Sequence, residues 1–164
     1  MGTIGKQRWV RVKDVTNSFP TCLSPTQTLE DAARVFTNEG IDGAPVVDGG
    51  RLVGVLSKSD LVERGPFIPH SPRAKVGDAM TRDVVTARLS DSAMSVVHAM
   101  VTQRIHRIVV VDGDDHPLGV VSTMDILDAI ARGDPLQSGD PAFEERTERH
   151  QAPAAAVLFA YMRS

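Results

Sequence analysis

Two short segments carry residue types that hold polar ligands. Ser57-Lys58-Ser59-Asp60 and Ser122-Thr123-Met124-Asp125 each place a hydroxyl three residues before a carboxylate. Each follows an apolar run and opens a helical pattern. At a helix start such a pair has two uses. It is a variant of the capping box, with Ser at the N-cap and Asp at the third helical position, worth about 1 kcal/mol per helix. The same geometry suits a ligand. A helix start offers N–H groups and partial positive charge to a phosphate, and a carboxylate one turn in can accept both hydroxyls of a ribose. A further pair, His106-Arg107, adds cationic donors, and Arg presents a fixed fork to phosphate oxygens. The plainer reading of that pair is two solvated residues at a strand entry.

Other chemistry has little support. Cys22 is the single cysteine, so no disulfide forms within the chain and Cys-rich metal sites are excluded. It lacks His or Asp at a nucleophile spacing and reads as a small buried residue on a strand. His70, His98, His106, His116 and His150 form no H-x-x-x-H or H-E-x-x-H pattern. The loop Asp112-Gly113-Asp114-Asp115 lacks the register and closing Glu of a calcium loop and reads as a solvated hairpin turn. No Gly-rich phosphate loop and no G-x-S-x-G elbow is present. No acid, base and nucleophile form a recognisable set, so no catalytic residues, no metal ligands and no enzymatic activity are expected.

The elements that must position these residues occur twice. Residues 26–48 align with residues 90–112 at an offset of 64. After one inserted residue, Gly54–Leu61 (GVLSKSDL) aligns with Gly119–Ile126 (GVVSTMDI) at an offset of 65. Upstream, Val12–Asn17 aligns with Val76–Thr81. In each copy apolar residues fall at i, i+3, i+4 and i+7: Leu29, Ala32, Ala33 and Phe36, then Ala93, Val96, Val97 and Met100. That spacing predicts a helix, with Thr28 and Ser92 at the N-caps. Strands are predicted at Ala44–Val47 and Ile108–Val111. Asp-Gly turns follow, then strands at Leu52–Leu56 and Leu118–Val121. Short helices start at Lys58 and Thr123. Brief leading strands are expected near Thr21–Leu23 and Val84–Ala87. The order is β-α-β-β-α, twice, in an α/β (α+β) fold.

Two units that each end in G-apolar-apolar-S-x-x-D resemble a tandem pair of cystathionine-β-synthase (CBS) domains, a Bateman module. The resemblance spans roughly Val10 to Arg132. The segment IHRIVVVDGDDHPLGVVSTMDIL is similar in particular to the nucleotide-sensing gamma subunit of AMP-activated protein kinase. It implies two repeats packed with pseudo-twofold symmetry and a cleft on either side. It implies that the Asp binds ribose, that the nearby Ser or Thr contacts phosphate, and that the His-Arg pair contacts phosphates. The family's cross-over geometry implies a main ligand site of Ser57, Ser59, Asp60, His106 and Arg107. A second, weaker site would comprise Ser122, Thr123 and Asp125. There the alignment puts Asp42 and Gly43 in place of the His-Arg pair, and an acidic neighbour disfavours phosphate. Val55, Leu56 and the strand around Val84 to Thr86 are candidates for the adenine slot.

Composition fits this reading. The chain has 164 residues, 41% hydrophobic and 24% charged, within the globular range. The formal net charge of −3, with one Trp, one Tyr and five Phe, argues against nucleic acid as a partner. The N-terminus has no apolar signal-peptide core. The longest apolar run, Ala154–Met162, is far below the roughly 20 residues of a membrane span. A cytoplasmic location without membrane contact is expected. The boundaries read as an N-terminal arm (1–10), repeat one (11–65), a linker with Pro66, Pro69 and Pro72 (66–74), repeat two (75–135) and a tail (136–164). Pro153 is placed to start a short apolar helix in the tail, docking on its own module, across a homodimer, or on another protein. The expected function is a regulatory module that needs no cofactor and binds AMP, ADP, ATP or S-adenosylmethionine. It would form a homodimer and signal to an unidentified protein partner. The alternative is a ligand-free dimerisation scaffold.

Overall fold

The computed structural model describes residues 9–18, 20–64 and 74–136. The expected linker, apart from Ala74, and the expected tail helix lie outside these residues. In chain order the elements are α1 (Val12–Val15), β1 (Asn17–Ser18), α2 (Leu29–Glu39), β2 (Gly43–Asp48), β3 (Arg51–Ser57) and α3 (Lys58–Arg64). They continue as α4 (Val76–Ala79), β4 (Thr86–Ala87), α5 (Ala93–Gln103), β5 (Arg107–Val111), β6 (Pro117–Ser122) and α6 (Thr123–Ala131). This is a mixed α+β fold of two repeats.

Local chemistry fixes the element ends. The Thr28 hydroxyl accepts the Asp31 N–H at 3.1 Å at the start of α2. Ser92 accepts the Met94 N–H at 3.2 Å at the start of α5. Both long helices end in a left-handed residue, Gly40 (φ 64) and Arg104 (φ 54). Between β2 and β3, Gly49 (φ 55) and Gly50 (φ 83) form a two-residue turn that only residues tolerant of positive φ can make. The second hairpin departs from the expected tight Asp-Gly turn. Its loop runs from Asp112 to His116, closed by the Asp112 N–H bonding the His116 carbonyl at 3.0 Å, with Asp115 at φ 65.

The chain divides into two compact units. One comprises residues 17–84 with 111–119; the other comprises residues 1–16, 85–110 and 120–164. The first unit buries Leu23, Ala32, Phe36, Val46, Leu56, Val76, Ala79 and Met80 together. β2 and β3 pair antiparallel, from Gly43↔Ser57 to Asp48↔Arg51. Leu23 adds a single parallel bridge to Val46, where a brief strand was expected. The other unit buries Val10, Val12 and Val15 with Val96, Met100, Ile108, Val110, Val121 and Ile126. There β4 pairs parallel with β5, with Ala87 opposite Val110. This repeats the Leu23–Val46 register at the offset of 64.

These units cut across the repeats. α1 opens repeat one yet joins the core of repeat two, and α4 opens repeat two yet joins the core of repeat one. Equivalent contacts hold each in place. Arg11 bridges to Ser92, and Lys75 to Thr28. The Arg11 side chain donates to the Ser90 carbonyl, and Lys75 Nζ to the Thr26 carbonyl at 2.9 Å. Asp14 accepts the Arg11 N–H and Asp78 the Lys75 N–H, both at 3.0 Å.

Candidate functional site

Both Ser-x-x-Asp segments sit where a strand passes into a helix without an intervening residue, β3 into α3 and β6 into α6. In each, serine and aspartate bond each other reciprocally. Asp60 Oδ2 accepts the Ser57 N–H at 2.8 Å and the Ser57 hydroxyl at 2.7 Å, while Ser57 Oγ accepts the Asp60 N–H at 3.2 Å. Asp125 Oδ2 does the same with Ser122 at 2.7 and 2.6 Å, and Ser122 Oγ accepts the Asp125 N–H at 3.3 Å. The cap thus uses the same carboxylate oxygen in both copies. Ser57, Asp60, Ser122 and Asp125 are half-buried, whereas Ser59 and Thr123 are exposed.

The residue before the first strand of each hairpin is tied to the first residue of the closing helix. In repeat two the His106 carbonyl accepts the Thr123 N–H at 3.0 Å and the Thr123 hydroxyl at 3.2 Å. In repeat one the Asp42 carbonyl accepts the Lys58 N–H at 2.8 Å, and Lys58 Nζ lies 3.1 Å from Asp42 Oδ1. The carboxylate that was expected to repel phosphate is therefore paired with a local cation. At this place repeat two has exposed His106 and Arg107, preceded by exposed Arg104. Sequence reasoning passed over Arg104. Its alignment with Gly40, a helix-ending glycine, was the available signal. Ser57, Ser59 and Asp60 belong to one compact unit, and His106, Arg107, Ser122, Thr123 and Asp125 to the other.

Several expectations change. Leu56 is fully buried in the core of its unit and cannot face an adenine, because the pleat turns it inward beside Val46. Val55 is half-buried, and its backbone pairs with Thr81 through two bonds of 2.9 Å. Val84, Val85 and Thr86 are half-buried, with Val85 packed on the core. Cys22 is exposed, not buried. Its thiol donates to the Pro20 carbonyl at 3.4 Å, and desolvation raises its pKa, so it rests as the weakly nucleophilic thiol.

The loop after β5 brings one oxygen or nitrogen each of Asp112, Asp114 and His116 within 4.8 Å of one another. The Asp112 carboxylate and the His116 ring already serve the loop itself. Asp112 Oδ1 accepts the Asp114 N–H at 2.8 Å and the His116 N–H at 2.9 Å. Asp112 Oδ2 lies 3.0 Å from His116 Nδ1. The His116 and Asp114 backbone N–H groups, aided by the His116 ring, hold the Asp112 carboxyl below its usual range. No helix among the described residues is long and apolar enough to cross a membrane.

Comparison with known proteins agrees with this architecture. The CBS domain profile matches residues 12–66 and 76–132. An uncharacterized protein of Methanocaldococcus jannaschii is 33% identical over 122 residues, which is 74% of this chain and 40% of that protein. The chain thus spans less than half of that curated relative. Among solved structures, CBSX2 in complex with AMP superposes with a TM-score of 0.67 at 25% identity, over 74% of this chain and 96% of that one. A CBS domain pair in complex with 5-methylthioadenosine and S-adenosyl-L-methionine superposes at 0.69 over 77% of this chain and all of that one. At 24% identity that likeness speaks for the fold. With two matched segments, each holding a hairpin closed by a Ser-x-x-Asp helix start, this chain belongs to the CBS domain family.

Proposed function

We propose that this CBS pair is a regulatory module that binds an adenosine-containing nucleotide and relays its occupancy to a partner protein. The observation that carries the reading is the basic cluster at the entry to β5. Arg104, His106 and Arg107 are exposed there, where repeat one has Gly40, Asp42 and Gly43. Arg104 holds a left-handed conformation that costs a non-glycine residue about 1 kcal/mol. Two arginines and a histidine within four residues offer several N–H donors to an anionic ligand. The likeness to a CBS protein solved with AMP supports a nucleotide as that anion. Ser57, Ser59 and Asp60 are the proposed ribose and phosphate contacts, with His106 and Arg107 on phosphate. Ser122, Thr123 and Asp125 form the weaker set. AMP, ADP, ATP and S-adenosylmethionine share the adenosine handle and are the candidate ligands. A homodimer is the proposed assembly. A ligand shifts such a module only by its differential affinity for two states.

One observation favours a second reading, a scaffold without ligand: in both repeats the Ser-Asp pair is closed on itself as a cap. A thermal-shift panel with AMP, ADP, ATP, NAD and S-adenosylmethionine separates the two. A ligand at 100 times its Kd stabilises by about 2.7 kcal/mol, or roughly 5 °C in Tm at this size. The expected outcome is a shift for one ligand that is lost in Asp60→Ala and in Arg107→Ala. A flat panel at millimolar ligand, with Asp60→Ala merely lowering the basal Tm, supports the scaffold.

A further inference from the structure

Lys58 is a basic residue that the nucleotide reading above leaves unused. It is the first residue of α3 and stands between Ser57 and Ser59. Its backbone N–H is committed to the Asp42 carbonyl at 2.8 Å, and its Nζ lies 3.1 Å from Asp42 Oδ1. Both side chains are open to solvent, 49% for Lys58 and 61% for Asp42. Asp42, Ser57, Lys58, Ser59 and Asp60 all belong to one compact unit. An ion pair this exposed gains little, because water and salt screen it and two side chains must be held still. Such pairs shift an equilibrium by a factor of about five or less. Asp42 therefore holds the ammonium in place and can release it at small cost.

The second repeat supplies an internal control. Its equivalents of Asp42 and Lys58 are His106 and Thr123. There the short, neutral Thr123 side chain turns back onto the His106 carbonyl at 3.2 Å. The backbone bond across the corner is the same in both copies, 2.8 Å from Lys58 and 3.0 Å from Thr123. A corner of this shape thus closes without a lysine. What the lysine changes is where the positive charge sits. In repeat two the basic residues stand at the strand entry, as exposed His106 and Arg107. In repeat one the strand entry is acidic and the base stands on the helix. A lysine ammonium is a compact charge on a flexible stem, able to move from one anion to another. Asp42 offers it a single negative charge, whereas a phosphate monoester carries about −1.5 to −2 at neutral pH. The phosphate is the stronger competitor, and it gains charge-assisted hydrogen bonds in the exchange.

We propose that Lys58 determines the preference of repeat one for a phosphate-bearing ligand, held in reserve by Asp42 and exchanged onto the phosphate on binding. This rests on the nucleotide reading above and extends it to a residue and to a ligand charge. The two members of the pair make the test. Lys58→Gln and Asp42→Asn break the same ion pair, so a purely structural pair predicts the same effect on the ligand from both. An exchanged lysine predicts opposite effects. The full chain is titrated by calorimetry with AMP, ADP and ATP, and the tightest of the three is compared across the variants. Lys58→Gln is expected to weaken it about fivefold or more, and Asp42→Asn to tighten it about two- to fivefold. An unchanged affinity in either variant, or a change of the same sign in both, overturns the proposal and leaves the nucleotide reading standing. Absence of binding by all three nucleotides at millimolar concentration, in the wild type and in Asp42→Asn alike, overturns the nucleotide reading and this proposal with it.

Discussion

Arg104 adopts φ 54 at the end of α5, where the equivalent residue of repeat one is Gly40 at φ 64. Glycine takes this conformation without a Cβ penalty. Arg104→Gly is therefore expected to stabilise the fold by up to about 1 kcal/mol in urea denaturation. On the proposed function it should also weaken the nucleotide-induced shift in Tm. Stabilisation with an unchanged ligand response would remove Arg104 from the site. Asp112 supplies a pH-dependent test. Its carboxyl pKa is lowered from the ordinary 3.8, first by the N–H bonds from His116 and Asp114. A depressed pKa means the charged form is favoured in the fold, so the contribution is present above pH 3.8 and is lost as pH falls through the lower, folded value. The Asp114 and His116 amide shifts should titrate with a midpoint below 3.8. A midpoint at 3.8 or above contradicts the loop geometry.

The elements were legible where their ends are set by local bonds. The hydroxyls of Thr28 and Ser92 cap α2 and α5 as their spacing predicts, and α3 and α6 start at Lys58 and Thr123 as expected. The short pieces were less legible. α1 and α4 are single turns, too short for a helical period to show in the sequence, and Cys22 reads as buried only if a strand runs through it. β3 contains a packing constraint that neither strand periodicity nor turn grammar reveals. A Cβ on Gly54 would lie 2.7 Å from Met80 Sδ and 2.9 Å from the Thr81 carbonyl. The methionine can move, but that carbonyl is held by the Val55 N–H at 2.9 Å. Gly54→Ala is expected to cost about 1–3 kcal/mol, read as a lower urea midpoint. A cost below 0.5 kcal/mol would mean that the Thr81 segment yields freely.

At the scale of the whole molecule, cores and repeats do not coincide. Val12 is fully buried against residues of repeat two, and Val76 is fully buried against residues of repeat one. Truncating a buried valine to alanine costs about 2 kcal/mol, from lost transfer energy and the residual cavity. Val12→Ala is expected to accelerate amide exchange in α5 and α6, which lie far from it in sequence. Val76→Ala should accelerate exchange in α2 and β3. The reverse pattern, with Val12→Ala loosening α2, would refute the exchanged arrangement.

The amino-acid sequence by itself determines the duplicated β-α-β-β-α grammar, the caps that start the helices and the pairing of serine with aspartate at α3 and α6. Each of these depends on groups within a few residues of one another. Only the tertiary structure decides which core receives α1 and which receives α4. The segments Val12–Asn17 and Val76–Thr81 carry the same apolar pattern, and either would satisfy either core locally. The same holds for ligand-facing positions. Leu56 and Val55 read alike in a strand, and only the pleat and the neighbouring core turn one fully inward and leave the other half-buried.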